Sequence, residues 1–284
     1  MKINQPIEST DLDLEKAPSE STGSDVVSRK KALKKISTIG QKAITGLLSL
    51  SFIGLSAKTA KAQFDDLEIA RALNFLLVIE FMQESFYLQA TTRNGFLNQP
   101  FQNIFAQIRR QHQRRIILIN NNVGSLGLDP TPAGGFNFNF RSGGRFDPFN
   151  DFEQFLSLAQ IIEDLAAGVY KQQAEIIFQN NAPARMKRLV LRLHSTEARH
   201  AYYIRFLRNQ QGFDDIKGWI NKTDLGSISS SIANIYANEG QTIQEDIDVA
   251  SVTESDIQAV QEAWDEPIGR GLANNILQLF TRPL

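Results

Sequence analysis

The chain has no cysteine, and among its 284 residues there are only three histidines, three methionines and two tryptophans. Without thiols there can be no disulfide, thiolate zinc site, iron–sulfur cluster or lipidated cysteine, so a metal site must be built from His, Asp and Glu. Long apolar runs are scarce near the N-terminus: the weakly apolar stretch Ala43–Ala57 spans 15 residues and is interrupted by Ser and Gly, short of the roughly 20 that cross a bilayer. Nor is there an excess of one charge. The formal net charge is −1, but residues 1–62 carry 10 basic and 6 acidic side chains and the remainder 20 and 25. A chain beginning after residue 62 is mildly acidic, which argues against nucleic acid as a partner.

Residues 1–62 read as an address. Ser28-Arg29-Lys30-Lys31-Ala32-Leu33-Lys34 precedes the weakly apolar run and Ala60-Lys61-Ala62 follows it. A basic block, a short apolar segment and small residues where a signal peptidase reads predict a cleavable export signal, cut before Gln63. The basic block is similar to a twin-arginine signal with Lys30 in place of the second arginine, and the general secretory route fits as well. The expected location is periplasmic or secreted, with no stable membrane anchor after cleavage; the competing reading is a basic tail followed by an anchoring helix. The leader Met1–Val27 has the composition of a disordered segment.

From Asp65 the pattern becomes helical. Four segments, about Asp65–Thr92, Pro100–Val123, Asp151–Gln179 and Ala184–Gln211, carry apolar seams spaced by three and four, each broken at mid-length by polar residues. The first has Glu80-x6-Tyr87 and the third Glu163-x6-Tyr170; the second has Arg109-x2-His112 and the fourth Glu197-x2-His200. The same hairpin occurs twice. In each copy the polar breaks are equidistant from the turn, at Gly95 and near Asn181, so on antiparallel helices they lie at one height. The predicted fold is all-α: a four-helix bundle over residues 63–211 with a long crossover, Gly124–Asn150, between helices 2 and 3, and a helical extension over 212–284 packed on it. The alternating Phe136, Phe138 and Phe140 in the crossover could form a short strand, and are rather expected to pin the loop to the bundle. In the extension, Thr253-x-x-Asp256 predicts a capped short helix, a last helix follows Pro267, and Trp219, Trp264, Ile276, Leu277 and Phe280 are expected to be buried.

A Glu and a His three apart share a helix face and can converge on one ion, and a carboxylate–imidazole set suits iron or manganese. The segments "DLEIARALNFLLVIEFMQESFYLQA", "FLSLAQIIEDLAAGVY", "HSTEARHAYYIRFL" and "AWDEPIGRGLANNILQLF" resemble the ferritin-like domain family that includes desiccation-related proteins. The resemblance implies a ferritin-like bundle, frequently exported, with Glu80, His112, Glu163, Glu197 and His200 at ligand positions. Arg109 stands where a Glu is expected.

Charge then separates the alternatives. Three glutamates and Arg109 sum to −2, which one divalent ion neutralises, whereas two ions would leave an excess costly in a dry core. One ion or none is therefore expected over two, with Arg109 bonded to Glu80 or Glu163 and a single ion held mainly by Glu163, Glu197 and His200. Tyr87 and Tyr170 are expected to hydrogen-bond the carboxylates. Arg110, Arg114 and Arg115 read as a solvated face, and His194 as solvent-facing. The functional readings are an exported bundle with a degenerate carboxylate/histidine site handling metal or oxidant under stress or desiccation, or a metal-free structural or stress-associated bundle in which salt bridges of Arg109 replace the ion; a binding module built on the Phe-rich crossover has only that loop in its favour. A homo-oligomer is compatible with the sequence, and no small-molecule substrate is named by it.

Overall fold

A computed structural model describes residues 57–221, 226–227, 232–244, 246–253 and 255–281. The basic and apolar parts of the expected export signal lie outside the described residues.

Four long helices form the bundle: α1 (Ala57–Thr92), α2 (Phe101–Ser125), α3 (Phe152–Gln179) and α4 (Ala184–Gln210). Helix α1 continues through the expected cleavage point before Gln63. The side chain of Asp151 caps α3 by accepting from the N–H groups of Glu153 and Gln154, satisfying two donors the helix leaves free. The pairs α1/α2 and α3/α4 pack along their lengths, α1 also packs on α3, and α2 and α4 make a sparser contact. Residues 126–151 cross from the end of α2 to the start of α3 and bring it in antiparallel to α1.

The phenylalanines of that crossover hold it down. Phe136 packs on Phe81, and Phe140 on Phe86 and Phe280. Phe138 forms an isolated bridge with Thr281, and the N–H of Asn139 donates to the Phe280 carbonyl, so the loop is tied to the chain's last helix as well.

Among the described residues beyond α4 are a two-stranded hairpin, β1 (Ile243–Gln244) and β2 (Ile247–Asp248), and the α-helices α5 (Val249–Thr253), α6 (Ile257–Gln261) and α7 (Arg270–Phe280). Ile276, Leu277 and Phe280 are buried as expected. Two expectations are overturned. Thr253 ends α5 instead of capping a helix, and Asp256 is the cap of α6, accepting from Gln258 N–H: the chain needs an acceptor one residue before a helix, and Asp256 holds that place. Trp219 is 50% exposed and Trp264 38%, the indole of Trp219 being held at the surface by a hydrogen bond to Glu262. Among the described residues no helix is long and apolar enough to cross a membrane.

Candidate metal centre

Glu80 on α1, His112 on α2, Glu163 on α3, and Glu197 and His200 on α4 come together in the middle of the bundle, all buried. The equal distances to the two turns put them at one height, and the helical spacing turns them inward. The two tyrosines are exchanged between hairpins: Tyr87 on α1 donates to Glu163 Oε1 at 2.5 Å, and Tyr170 on α3 donates to Glu80 Oε1 at 2.6 Å. Burial, followed by the carboxylate each one faces, pushes both phenols well above their usual range, so they stay protonated donors.

Arg109 does not enter this cluster. Its side chain is 27% exposed and its Nε bonds Glu84 Oε1 at 2.8 Å on the outer face of the α1/α2 hairpin. The cation in the core is Arg115, 6% exposed, whose guanidinium pairs with Glu197 and, at 3.4 Å, with Glu80. The reason is rotational. Counting inward from His112, Ile108 and Arg115 lie to one side of the seam and Arg109 and Ile116 to the other; α2 is turned so that Phe105, Ile108, His112, Arg115 and Ile119 face the core. Arg115 is therefore a core cation and not part of the solvated face that the spacing predicts. The charge sum is unchanged, since one buried arginine still stands against three glutamates, but the arginine belongs to a different position and neutralises a different pair.

Gln83, one turn after Glu80, was not singled out by the sequence. Its Nε2 donates to Glu163 Oε2 at 2.9 Å and to Glu197 Oε2 at 2.7 Å. A carboxamide in a seam is an ordinary core interruption by pattern alone, and only the convergence of two carboxylates on it reveals its role.

The histidines are held by their outer nitrogens. His112 Nδ1 lies 2.9 Å from Glu80 Oε2, and His200 Nε2 donates to Gln111 Oε1 at 2.6 Å. Their other nitrogens, His112 Nε2 and His200 Nδ1, are enclosed without a hydrogen-bond partner. Both point at Glu163, His112 Nε2 at 3.6 Å from Oε1 and His200 Nδ1 at 3.5 Å from Oε2, too far for hydrogen bonds of normal strength.

Electrostatics follow this layout. Burial alone would raise the Glu163 carboxyl, but the two imidazoles against it overcome burial and hold it far below the usual range. Glu80 is likewise lowered against its burial, by Arg115 and His112. Burial works against protonation of His112, and Glu80 and Glu163 outweigh it, so His112 is raised. His200 is lowered, first by burial, with His112 and Arg115 adding to it.

A second buried network lies beside the first. Asp164, adjacent to Glu163, turns the other way: Arg205 Nη2 and the Tyr236 hydroxyl both donate to its Oδ2 at 2.6 Å. This ties α3, α4 and the extension together. His194, expected at the surface, is half-buried with Nε2 enclosed. It lines an open groove of about 660 Å³ with Phe178, Leu191 and Trp264, because Trp264 of the extension folds over that side of α4.

A sequence model of the ferritin-like domain family matches residues 68–210, which takes in nearly all of the four helices and stops where α4 stops. No curated protein matches the chain.

Proposed function

The chain belongs to the ferritin-like domain family, and from that premise and the geometry of its core we propose that it binds a single first-row divalent ion, iron or manganese, through His112, Glu163 and His200. The observation that carries this is the pair of enclosed, unpartnered imidazole nitrogens facing one carboxylate. In the neutral form of each ring, a far N–H turned outward to Glu80 or Gln111 leaves the inward nitrogen with its lone pair, as ligating histidines require. Donors bound at about 2.1 Å around an ion stand roughly 3–3.4 Å apart, close to the 3.5 and 3.6 Å between Glu163 and the two nitrogens. Two buried groups of residues could each hold an ion, His112 with Glu163 and His200, and Glu80 with His112 and Glu197. In the second, Arg115 already supplies the positive charge.

Two imidazoles and a carboxylate around iron or manganese suit one-electron chemistry with dioxygen or peroxide. The chain's own residues set its conditions. Tyr87 and Gln83 fix the two oxygens of Glu163; burial favours the neutral form of His200, whereas Glu80 and Glu163 favour the protonated form of His112, and any proton His112 holds is released when the ion is taken up.

A second reading, favoured by the same Arg115, is a metal-free bundle in which His112, protonated between Glu80 and Glu163, completes an internal ion network. Elemental analysis of protein purified from its native source, and melting curves with added Mn²⁺ or Fe²⁺, separate the two. The expected result is about one ion per chain, lost in Glu163→Gln. No ion, with a melting temperature indifferent to both metals, would favour the second reading; two ions would mean that Arg115 leaves the centre.

A further inference from the structure

Helices α2 and α4 are unusual in charge. α2 contains four arginines and no acidic residue; α4 contains six arginines and a lysine, with Glu197 as its one acid, and that one is buried. Three of the basic residues, Arg115, Arg205 and Arg208, are used inside. Of the others, Arg110, Arg114, Arg188, Arg192 and Arg199 are exposed, and no salt bridge among the described residues engages them.

They form one surface. On α4, Arg188, Arg192 and Arg199 recur at intervals of four and seven, a single helical stripe. On α2, Arg110 and Arg114 make a stripe with the exposed Leu118. The two stripes are side by side, because His200 bonds Gln111 at mid-length and Arg185, at the start of α4, bonds Ser125 at the end of α2. The helices are thus antiparallel neighbours, with a basic face containing exposed aliphatic side chains.

The extension carries the complement. Residues 242–257 include five acidic residues and no basic one. Asp246, Asp248 and Asp256 are exposed there, and so are Ile243, Ile247 and Ile257, at 57%, 54% and 60%. A solvent-facing hairpin with two bare isoleucines, and a third at the start of α6, has unpaired edges and uncovered apolar area, the features of a contact surface. One molecule thus presents a basic–aliphatic face and an acidic–aliphatic face, neither engaged by a salt bridge among the described residues.

We propose that the chain self-associates head to tail, the arginine face of α2 and α4 in one copy receiving the acidic hairpin segment 242–257 of the next. Such a contact joins unlike surfaces and yields rings or open chains, not a two-fold dimer. Opposite charges set the register, and the aliphatic side chains supply the area.

The test is sedimentation velocity on the full chain as isolated from its host, across a concentration series at low salt (about 20 mM) and high salt (about 0.5 M), where screening shortens from roughly 20 Å to a few Å. The expected result is mass growing with concentration at low salt and shrinking towards the monomer at high salt. Arg114→Glu with Arg192→Glu should remain monomeric at low salt, and so should Asp246→Arg with Asp248→Arg. Mixing the two variants should restore a complex, because each carries the intact face the other lacks and the reversed charges match. All four positions are on the surface, and circular dichroism checks that both variants are folded. The proposal is overturned by a monomer under every condition, by association that ignores the reversals, or by variants that do not pair when mixed. It is also overturned if the monomeric wild type instead binds anionic lipid vesicles through the same arginines.

Discussion

Arg115 and Arg109 occupy one helix, six residues apart, and have opposite roles. Arg115 is enclosed against Glu80 and Glu197. Removing it leaves two buried carboxylates without their cation, a loss that typically costs about 3–5 kcal/mol. Arg109 is part of a half-exposed bridge to Glu84, and such pairs contribute about 0–1 kcal/mol. The expected outcome is a large drop in the melting temperature of metal-free protein for Arg115→Ala and little change for Arg109→Ala. Added Mn²⁺ should recover part of the first loss, since a divalent ion can replace the missing charge between Glu80 and Glu197. Equal effects of the two substitutions would show that α2 is rotated differently from the geometry described. The sequence could not choose between these arginines. Phe105, Ile108, His112, Arg115, Ile119 and Phe105, Arg109, His112, Ile116, Ile119 are both valid helical seams, and the choice is a small rotation of α2 set by what packs on it. Glu80, Glu163, Glu197, His112 and His200 were legible because repetition at matched height removes that freedom.

At the scale of elements, the extension is attached through close contact and through acids that share a confined space. The N–H of Ile268 donates to the Gly168 carbonyl at 3.0 Å, and a Cβ at Gly168 would come within 2.6 Å of the Ile268 side chain, so α3 needs a glycine where the extension crosses it. Nearby, Glu239 is buried, accepting from the Glu266 N–H with one oxygen and having no partner for the other. Burial first, then Asp265 and Glu266, push it up to about 8, and Asp265 is pushed up to about 6 for similar reasons. The folded state therefore keeps protons that the unfolded chain releases from about pH 4.5 upward, and stability falls as the pH rises from there to about 8. Glu239→Gln keeps the shape without the charge. It should melt higher than the parent at about pH 8, and its melting temperature should fall less between about pH 5 and pH 8. A parent and variant that track each other across that range would mean that Glu239 is solvated and that this part of the extension is open. These contacts could not be read from sequence, because Glu239, Asp265 and Glu266 lie among many acids in a stretch without helical period.

At the scale of the whole molecule, the expected export signal and the fold meet at one helix. The described part of helix α1 runs from Ala57 to Thr92, and the expected cut before Gln63 falls upstream of its buried residues Ile69, Leu73, Leu76 and Glu80. The candidate ligands Glu80, His112, Glu163, Glu197 and His200 all lie after the expected cut. We propose that the mature chain starts at Gln63, on the sequence pattern alone. Intact-mass measurement of protein recovered from its native compartment should give a chain lacking residues 1–62; a mass that includes Met1 on exported protein would defeat the proposal. The same cut would remove ten basic residues and leave the acidic segment and the arginine face as surfaces of opposite charge.

The sequence by itself determined the architecture: four helices by periodicity, their order and directions by turn length and the long crossover, and a common height for the polar breaks by repetition. These are properties of spacing along a chain, and spacing is what a sequence records. Tertiary structure alone decided which cation stands in the core, which nitrogen of each histidine faces inward, and where Trp219, Trp264 and His194 end up. Those depend on helix rotation and on hydrogen-bond partners from other elements, Gln111 for His200, Glu80 for His112 and Glu262 for Trp219. Each is a choice between alternatives that local spacing leaves almost equal, made by a neighbour distant in sequence.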